Sequence, residues 1–230
     1  MARLRFKDQA FNFDISTSLT ILVGQSSSQK SFLAHESIIC ARSEFFCRAM
    51  TGNWAEREER LVKLPHNKLA TFALYMDIVY TNTIATDANT SPQDSHARTA
   101  ESIELCELYV LSEKLRDKSA KNAVLEAMLV INTIDEETKS LYHGGPASNP
   151  KHFNPSADAI AIMYDGTPDS SLGRKLMADL WSTVPTKYIL KNADELPRGF
   201  LKDLAINLLR DQPDRTSVAL RAGAHPYTEV

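Results

Sequence analysis

The chain has little of what marks a secreted protein, a membrane protein or a metalloenzyme. None of its apolar runs approaches the roughly 18–20 residues that span a bilayer. The N-terminal stretch MARLRFKDQAFNFDIS is basic but holds no apolar run of signal-peptide length. A cytoplasmic or nuclear chain without membrane contact is therefore expected. Cysteine is scarce: Cys40, Cys47 and Cys106 are odd in number and lack CxxC spacing, which excludes a disulfide framework. Structural zinc uses ligands paired two to four residues apart. The three cysteines with His66, His96, His143 and His152 offer no such pair, so neither a metal nor a zinc-finger tail is expected. The eight glycines are scattered and form no phosphate-cradling loop, and no cofactor is expected. An excess of one charge is also missing. Lys and Arg total 26 against 29 Asp and Glu, a formal net charge of −3, which removes the simplest case for nucleic-acid binding. The runs RLRFK and REERLVK, the pair Arg174-Lys175 and Arg210 read as solvated faces. Asn89-Thr90-Ser91 matches a glycosylation sequon that a cytosolic chain does not use.

The most informative segment present is FLAHESIICARSEFF, residues 32–46. His35 beside Cys40 and Ser43 invites a hydrolase reading. That chemistry needs a nucleophile within hydrogen-bond reach of its base, and an oxyanion donor pair. No GxSxG elbow exists, and no glycine near Ser43 or Cys40 permits a strained turn. A structural histidine, hydrogen-bonded and packed against Phe45 or Phe46, is the reading adopted, with no catalytic residue.

Around this segment the pattern alternates between short strands and helices. TILVG (20–24) and SFLAH (31–35) read as a β-hairpin, followed by two short helices around Ser43 that stop at Thr51-Gly52-Asn53. AEREER (55–60) reads as a charged loop or turn, and LVKLP (61–65) as a strand ended by Pro65. Residues 67–80 form the clearest helix, with Leu69, Phe72, Ala73, Met76, Val79 and Tyr80 on one face. Thr86–Ala97 is polar and reads as a loop. Residues 100–116 carry two apolar stripes, as a helix buried between neighbours does; 118–131 carries a narrower one. HGGPASNPKHFNP (143–155) is the strongest boundary. Beyond it Thr167-Pro168 reads as a helix start, Leu172, Leu176, Leu180 and Val184 share a face, and Pro197 opens a helix faced by Phe200, Leu201, Leu204, Leu208 and Leu209. The fold class is α+β: a small β-sheet capped by a helical cluster, then an all-helical extension.

The order LTILVG … FLAHESIICARSEFFCRAM … RLVKLP … FALYMDIVYT resembles the BTB/POZ domain family. His35, Ser43, the pair Phe45-Phe46, Pro65 after Leu64, and Tyr80-Thr81 stand in the family's order and spacing. The resemblance divides the chain into an N-terminal segment (1–17), a BTB/POZ-like domain (18–131), a linker (132–155), a helical extension (156–211) and a tail (212–230). The extension is similar to that of many BTB proteins of filamentous fungi. The resemblance implies a non-enzymatic protein–protein interaction module that works through protein partners. It either self-associates as a homodimer or adapts substrates to a cullin-3 ubiquitin ligase through the helices matching 67–80 and 101–131. Leu74, Met76, Tyr80, Tyr109 and Met128 are the candidate interface. Dimer-forming relatives often pair an acid before the first strand with a base after the histidine, where this chain has Ser18 and Glu36. FKDQAFNF within 1–17 could supply an edge strand. The competing readings are an oligomerisation scaffold of the channel-tetramerisation type and, last, a small hydrolase using Cys40 or Ser43.

Overall fold

The structure, a computed structural model, describes residues 17–85, 95–132, 154–182 and 184–210. The N-terminal segment, the greater part of the Thr86–Ala97 loop, nearly all of the linker and the tail lie outside the described residues. Strand β1 (Ser18–Val23) alternates as its sequence alternates, with Leu19, Ile21 and Val23 buried and Thr20 and Leu22 half-buried. It pairs antiparallel with β2 (Lys30–His35), Ser18 opposite His35 and Val23 opposite Lys30. At the hairpin Gly24 has φ +88°, and a Cβ there would sit 3.2 Å from the Ser28 carbonyl, so the turn needs glycine. Strand β3 (Leu61–Leu64) adds to the other edge of β1 in parallel, giving the order β2-β1-β3.

Helices α1 (Glu36–Arg42) and α2 (Glu44–Thr51) meet at Ser43, the C-cap of one and the N-cap of the other. Helix α3 (Ala55–Glu59) stands where a charged loop was expected. It buries no side chain, so it leaves no apolar period in the sequence; good helix formers and acidic residues in the first turn hold it instead. Helix α4 (Leu69–Thr81) is displaced in phase from the expected face. Thr71, Phe72, Tyr75, Ile78 and Val79 are buried, whereas Ala73 and Tyr80 are exposed. The helix is apolar nearly all round, so periodicity could not choose between two stripes, and the contact of Phe72 with Phe32 of β2 (ring centroids 4.9 Å apart) decides it.

Helix α5 (Ser95–Lys114) begins within the segment read as a loop. It is the central rod. One side faces α4 and α6 (Lys118–Asn132); another receives α7 (Ala157–Gly166), as its two stripes require. The extension continues through α8 (Leu172–Trp181), α9 (Thr186–Asn192) and α10 (Arg198–Arg210). Thr167 does not start a helix. It closes α7, its hydroxyl donating to Met163 O at 2.6 Å, and α8 starts later, with Ser171 Oγ accepting the Gly173 N–H. Its extended backbone is the conformation preferred before Pro168. The docking face of α8 is shifted from the expected one: Leu172 is 60% exposed and Leu176 and Leu180 are half-buried, Val184 is buried as expected, and Gly173, Met177, Ala178 and Trp181 are buried as well. A Cβ on Gly173 would meet Met163 Sδ at 2.5 Å and Tyr109 Cε1 at 2.7 Å, so the docking face is chosen by a missing side chain. In α10, Phe200 and Leu204 are buried as expected, while Leu208 and Leu209 are exposed.

The extension is joined to α5 by hydrogen bonds as well as packing. The Tyr109 hydroxyl, buried in that seam, accepts the Gly173 N–H at 3.1 Å and the Ser171 hydroxyl at 3.2 Å.

Candidate protein-interaction surface

Ser43 is fully buried, and its hydroxyl donates to Leu115 O at 2.6 Å while accepting the Phe46 N–H at 3.3 Å. It therefore ties the α1–α2 junction to the end of α5. Phe45 and Phe46 follow edge to face, with centroids 5.3 Å apart; Phe46 is buried and Phe45 half-buried. His35 is half-buried at the junction of β2 and α1. Its partner is Tyr80, whose hydroxyl lies 3.0 Å from both the His35 Nδ1 and the His35 N–H. A hydroxyl that accepts from the backbone can donate to the ring, which fixes how the end of α4 meets the end of β2. Thr81 caps locally, its hydroxyl donating to Asp77 O at 2.8 Å. Pro65 directly follows β3 and is exposed.

The hydrolase reading finds no machinery among these residues. Both hydrogen-bonding directions of Ser43 are spent on structure. Burial, with Glu36 and Cys47 adding to it, pushes the Cys40 thiol up to about 12, which keeps it from being a thiolate at neutral pH. Burial likewise lifts Cys106 to about 12. Among the described residues no three His, Cys, Asp or Glu side chains converge on a metal-sized site, and no helix is long and apolar enough to cross a membrane.

The sequence reading missed a buried polar lock behind Ser43. Asp117, fully buried, accepts from Arg42 Nε at 3.2 Å, from the Tyr75 hydroxyl at 3.3 Å and from the Ala120 N–H at 2.8 Å. Arg42 also donates to Asn82 Oδ1 at 2.9 Å, and Asn82 closes α4 in the left-handed conformation. Burial and the Asp117 carboxylate push the Tyr75 phenol well above its ordinary value. One carboxylate thus caps α6, neutralises α1 and anchors α4. The only sequence signal was an Asp one residue before a helical pattern.

Ser18 and Glu36, the two positions singled out in the sequence, are joined through one arginine. Glu36 accepts from Arg60 NH2 at 2.7 Å, and Arg60 Nε donates to the Ser18 carbonyl at 2.8 Å. The acid stands on α1, and the base comes from the left-handed residue that joins α3 to β3.

Of the five candidate interface residues, the structure leaves three available. Tyr80 is 42% exposed, and Leu74 and Met76 are half-buried. Tyr109 and Met128 are 2% and 1% exposed and are not surface residues. Tyr109 is consumed by the seam with the extension, and Met128 lies on the inner face of α6 with Ala120 and Val124. Leu74 lines a groove of about 160 Å³ between α4 and α5, floored also by Ile84, Ala97 and Leu105 and rimmed by Glu101 and Glu104.

A model of the BTB/POZ domain matches residues 8–123, half of the chain. A comparison with curated proteins finds no match. The hairpin, the Ser43 junction, the parallel third strand and helices α4 and α5 all fall within the matched residues, and the chain belongs to the BTB/POZ domain family of protein–protein interaction modules.

Proposed function

We propose that this protein is a cytoplasmic or nuclear adaptor that self-associates or recruits a cullin-3-type ubiquitin ligase, with the groove between α4 and α5 receiving the partner. The groove carries the reading: an apolar floor of Leu74, Ile84 and Leu105 with carboxylates on one rim suits a helix laid in a groove. Tyr80 and Met76 extend the same helix with one exposed and one half-buried side chain. The extension supports the reading in another way. Its hydrogen-bonded seam on α5 ties it to the interaction unit, so anything held by the extension would keep a set orientation to a partner on the groove.

The test is size-exclusion chromatography with light scattering on the full chain, together with co-purification against recombinant cullin-3 N-terminal domain. The expected result is a dimer, or a complex lost in Leu74→Asp. A strict monomer that retains no cullin would overturn both partner assignments, and a tetramer without cullin binding would favour the oligomerisation scaffold instead.

A further inference from the structure

Away from the groove, the outer surface of α2 carries an aromatic–cationic strip. Trp54 is 64% exposed although it belongs to an ordered junction, as N-cap of α3. Its indole lies over Gly52, where an added Cβ would run into ring atoms Cδ1 and Nε1. The Gly52 N–H closes α2 on the Arg48 carbonyl at 3.0 Å. Arg48 pairs with Glu44, and Glu44 pairs in turn with Arg116 at 3.2 Å, across the gap from α2 to the α5–α6 turn. The Trp54 ring thus sits at the C-terminal end of α2, and the Arg48 and Arg116 guanidiniums meet at Glu44 nearer its start; these three side chains make up the strip. Its two guanidiniums share a single carboxylate, which leaves a positive charge over. Both arginines are more than half exposed (67% and 56%), and Lys118 is exposed two residues further on. The helix that follows Trp54, α3, carries Glu56, Glu58 and Glu59 with Arg57, so the chain turns acidic directly after the indole.

We propose that this strip docks an acidic segment of a partner protein. An apolar side chain of that segment covers the Trp54 indole, and its carboxylates sit on Arg48 and Arg116. Exposed Trp and Arg are the residue types that dominate protein interfaces, and Arg binds carboxylates in a fixed fork. The α3 carboxylates set the direction, because they repel acidic residues from the Trp54 end and leave only the Arg116 end for them. They and the negative net charge of the chain also disfavour a polyanion lying along the whole strip. This surface is separate from the α4–α5 groove, so its failure leaves that reading intact.

The two tryptophans make the test direct, since Trp54 is exposed and Trp181 is buried at 1%. Full-length protein is titrated with fluorescent decapeptides that carry one leucine anchor and zero, two or four glutamates, at low and at high salt. Binding that strengthens with each glutamate, weakens with salt and shields Trp54 from acrylamide quenching is expected. Trp54→Ala should weaken it about thirty-fold, the scale of a hot-spot truncation. Arg48→Gln and Arg116→Gln should each weaken it about five-fold, the upper range for an exposed ion pair. Gly52→Ala, which displaces the indole without removing it, should weaken it too. Four results would each overturn the proposal: affinity independent of glutamate number, a lysine peptide that binds better, an oligonucleotide that binds in its place, or self-association lost in Trp54→Ala without any peptide binding.

Discussion

Each half of the described fold is closed by an arginine, an aspartate and a tyrosine, but the two locks stand in different solvent. In the BTB unit the Asp117 carboxylate is at the centre, dry, with Arg42 and Tyr75 both donating to it. In the extension the arginine is at the centre. Arg174 donates to the Tyr164 carbonyl at 2.7 Å and to the Thr167 carbonyl, ends α7 by doing so, and lies over the Tyr164 ring at 4.8 Å. The carboxylates there are peripheral: Asp169 has a fully exposed side chain, and half-buried Asp203 accepts the Tyr164 hydroxyl at 2.9 Å. A charge buried at the centre of a network is costly to orphan, whereas one at its edge is rehydrated. The unit that carries the family's fold is accordingly the less tolerant of the two.

The sharpest way to break that contrast is Asp117→Ala. It leaves the Arg42 guanidinium without the Asp117 carboxylate and removes the α6 cap, and about 3–5 kcal/mol of stability should be lost in denaturant unfolding. Gly173→Ala comes next. Its Cβ collides with Met163 and Tyr109, so about 1–3 kcal/mol should be lost. Faster proteolysis of α7–α10 than of the BTB unit should accompany it, and equal rates would show that the seam does not set their coupling. Asp203→Ala, the peripheral counterpart of the first variant, should cost about 1 kcal/mol. If it matched Asp117→Ala, the distinction between the two locks would fail.

The smallest effect at neutral pH is in the thiols. Cys40 and Cys106 ionise more reluctantly in the fold, at about 12 against an ordinary 9.0. The folded state therefore holds their protons more tightly than the unfolded chain. The associated stability is complete below pH 9 and is lost as pH rises toward 12. The raised Tyr75 and Tyr164 phenols add to the loss from about pH 10 upward. An unfolding series from pH 8 to 11 should stay level to about pH 9 and fall from there. Cys106→Ala should flatten it, and Cys106 should resist thiol reagents until the protein unfolds.

Much of the first unit was legible because its elements bury one clear face each. The alternation of LTILV, the aromatic pair after Ser43 and the proline after LVKL each name an element, and each was found within a residue or two. Errors gathered where periodicity carries no choice. Helix α3 buries nothing, α4 is apolar nearly all round, and α8 docks out of phase with its leucines because Gly173 lets Met163 and Tyr109 approach. The candidate surface was half legible: Leu74, Met76 and Tyr80 remain available, but Tyr109 and Met128 are core. A stripe on a helix between neighbours does not say which neighbour covers it. Trp54 gave no signal, since an aromatic in a short polar segment reads the same whether it ends inside or outside.

By itself the sequence determined the strands and the helices that bury a clear face, their order, the family, and the absence of a catalytic elbow or a paired metal-ligand motif, because these follow from spacing along one chain. Only the tertiary structure decided which stripes are core, that Asp117 holds three helices at once, and that Arg48 and Arg116 meet at Glu44. Those facts depend on contacts between residues as much as 75 positions apart, and such distances are set by packing, which local periodicity does not encode.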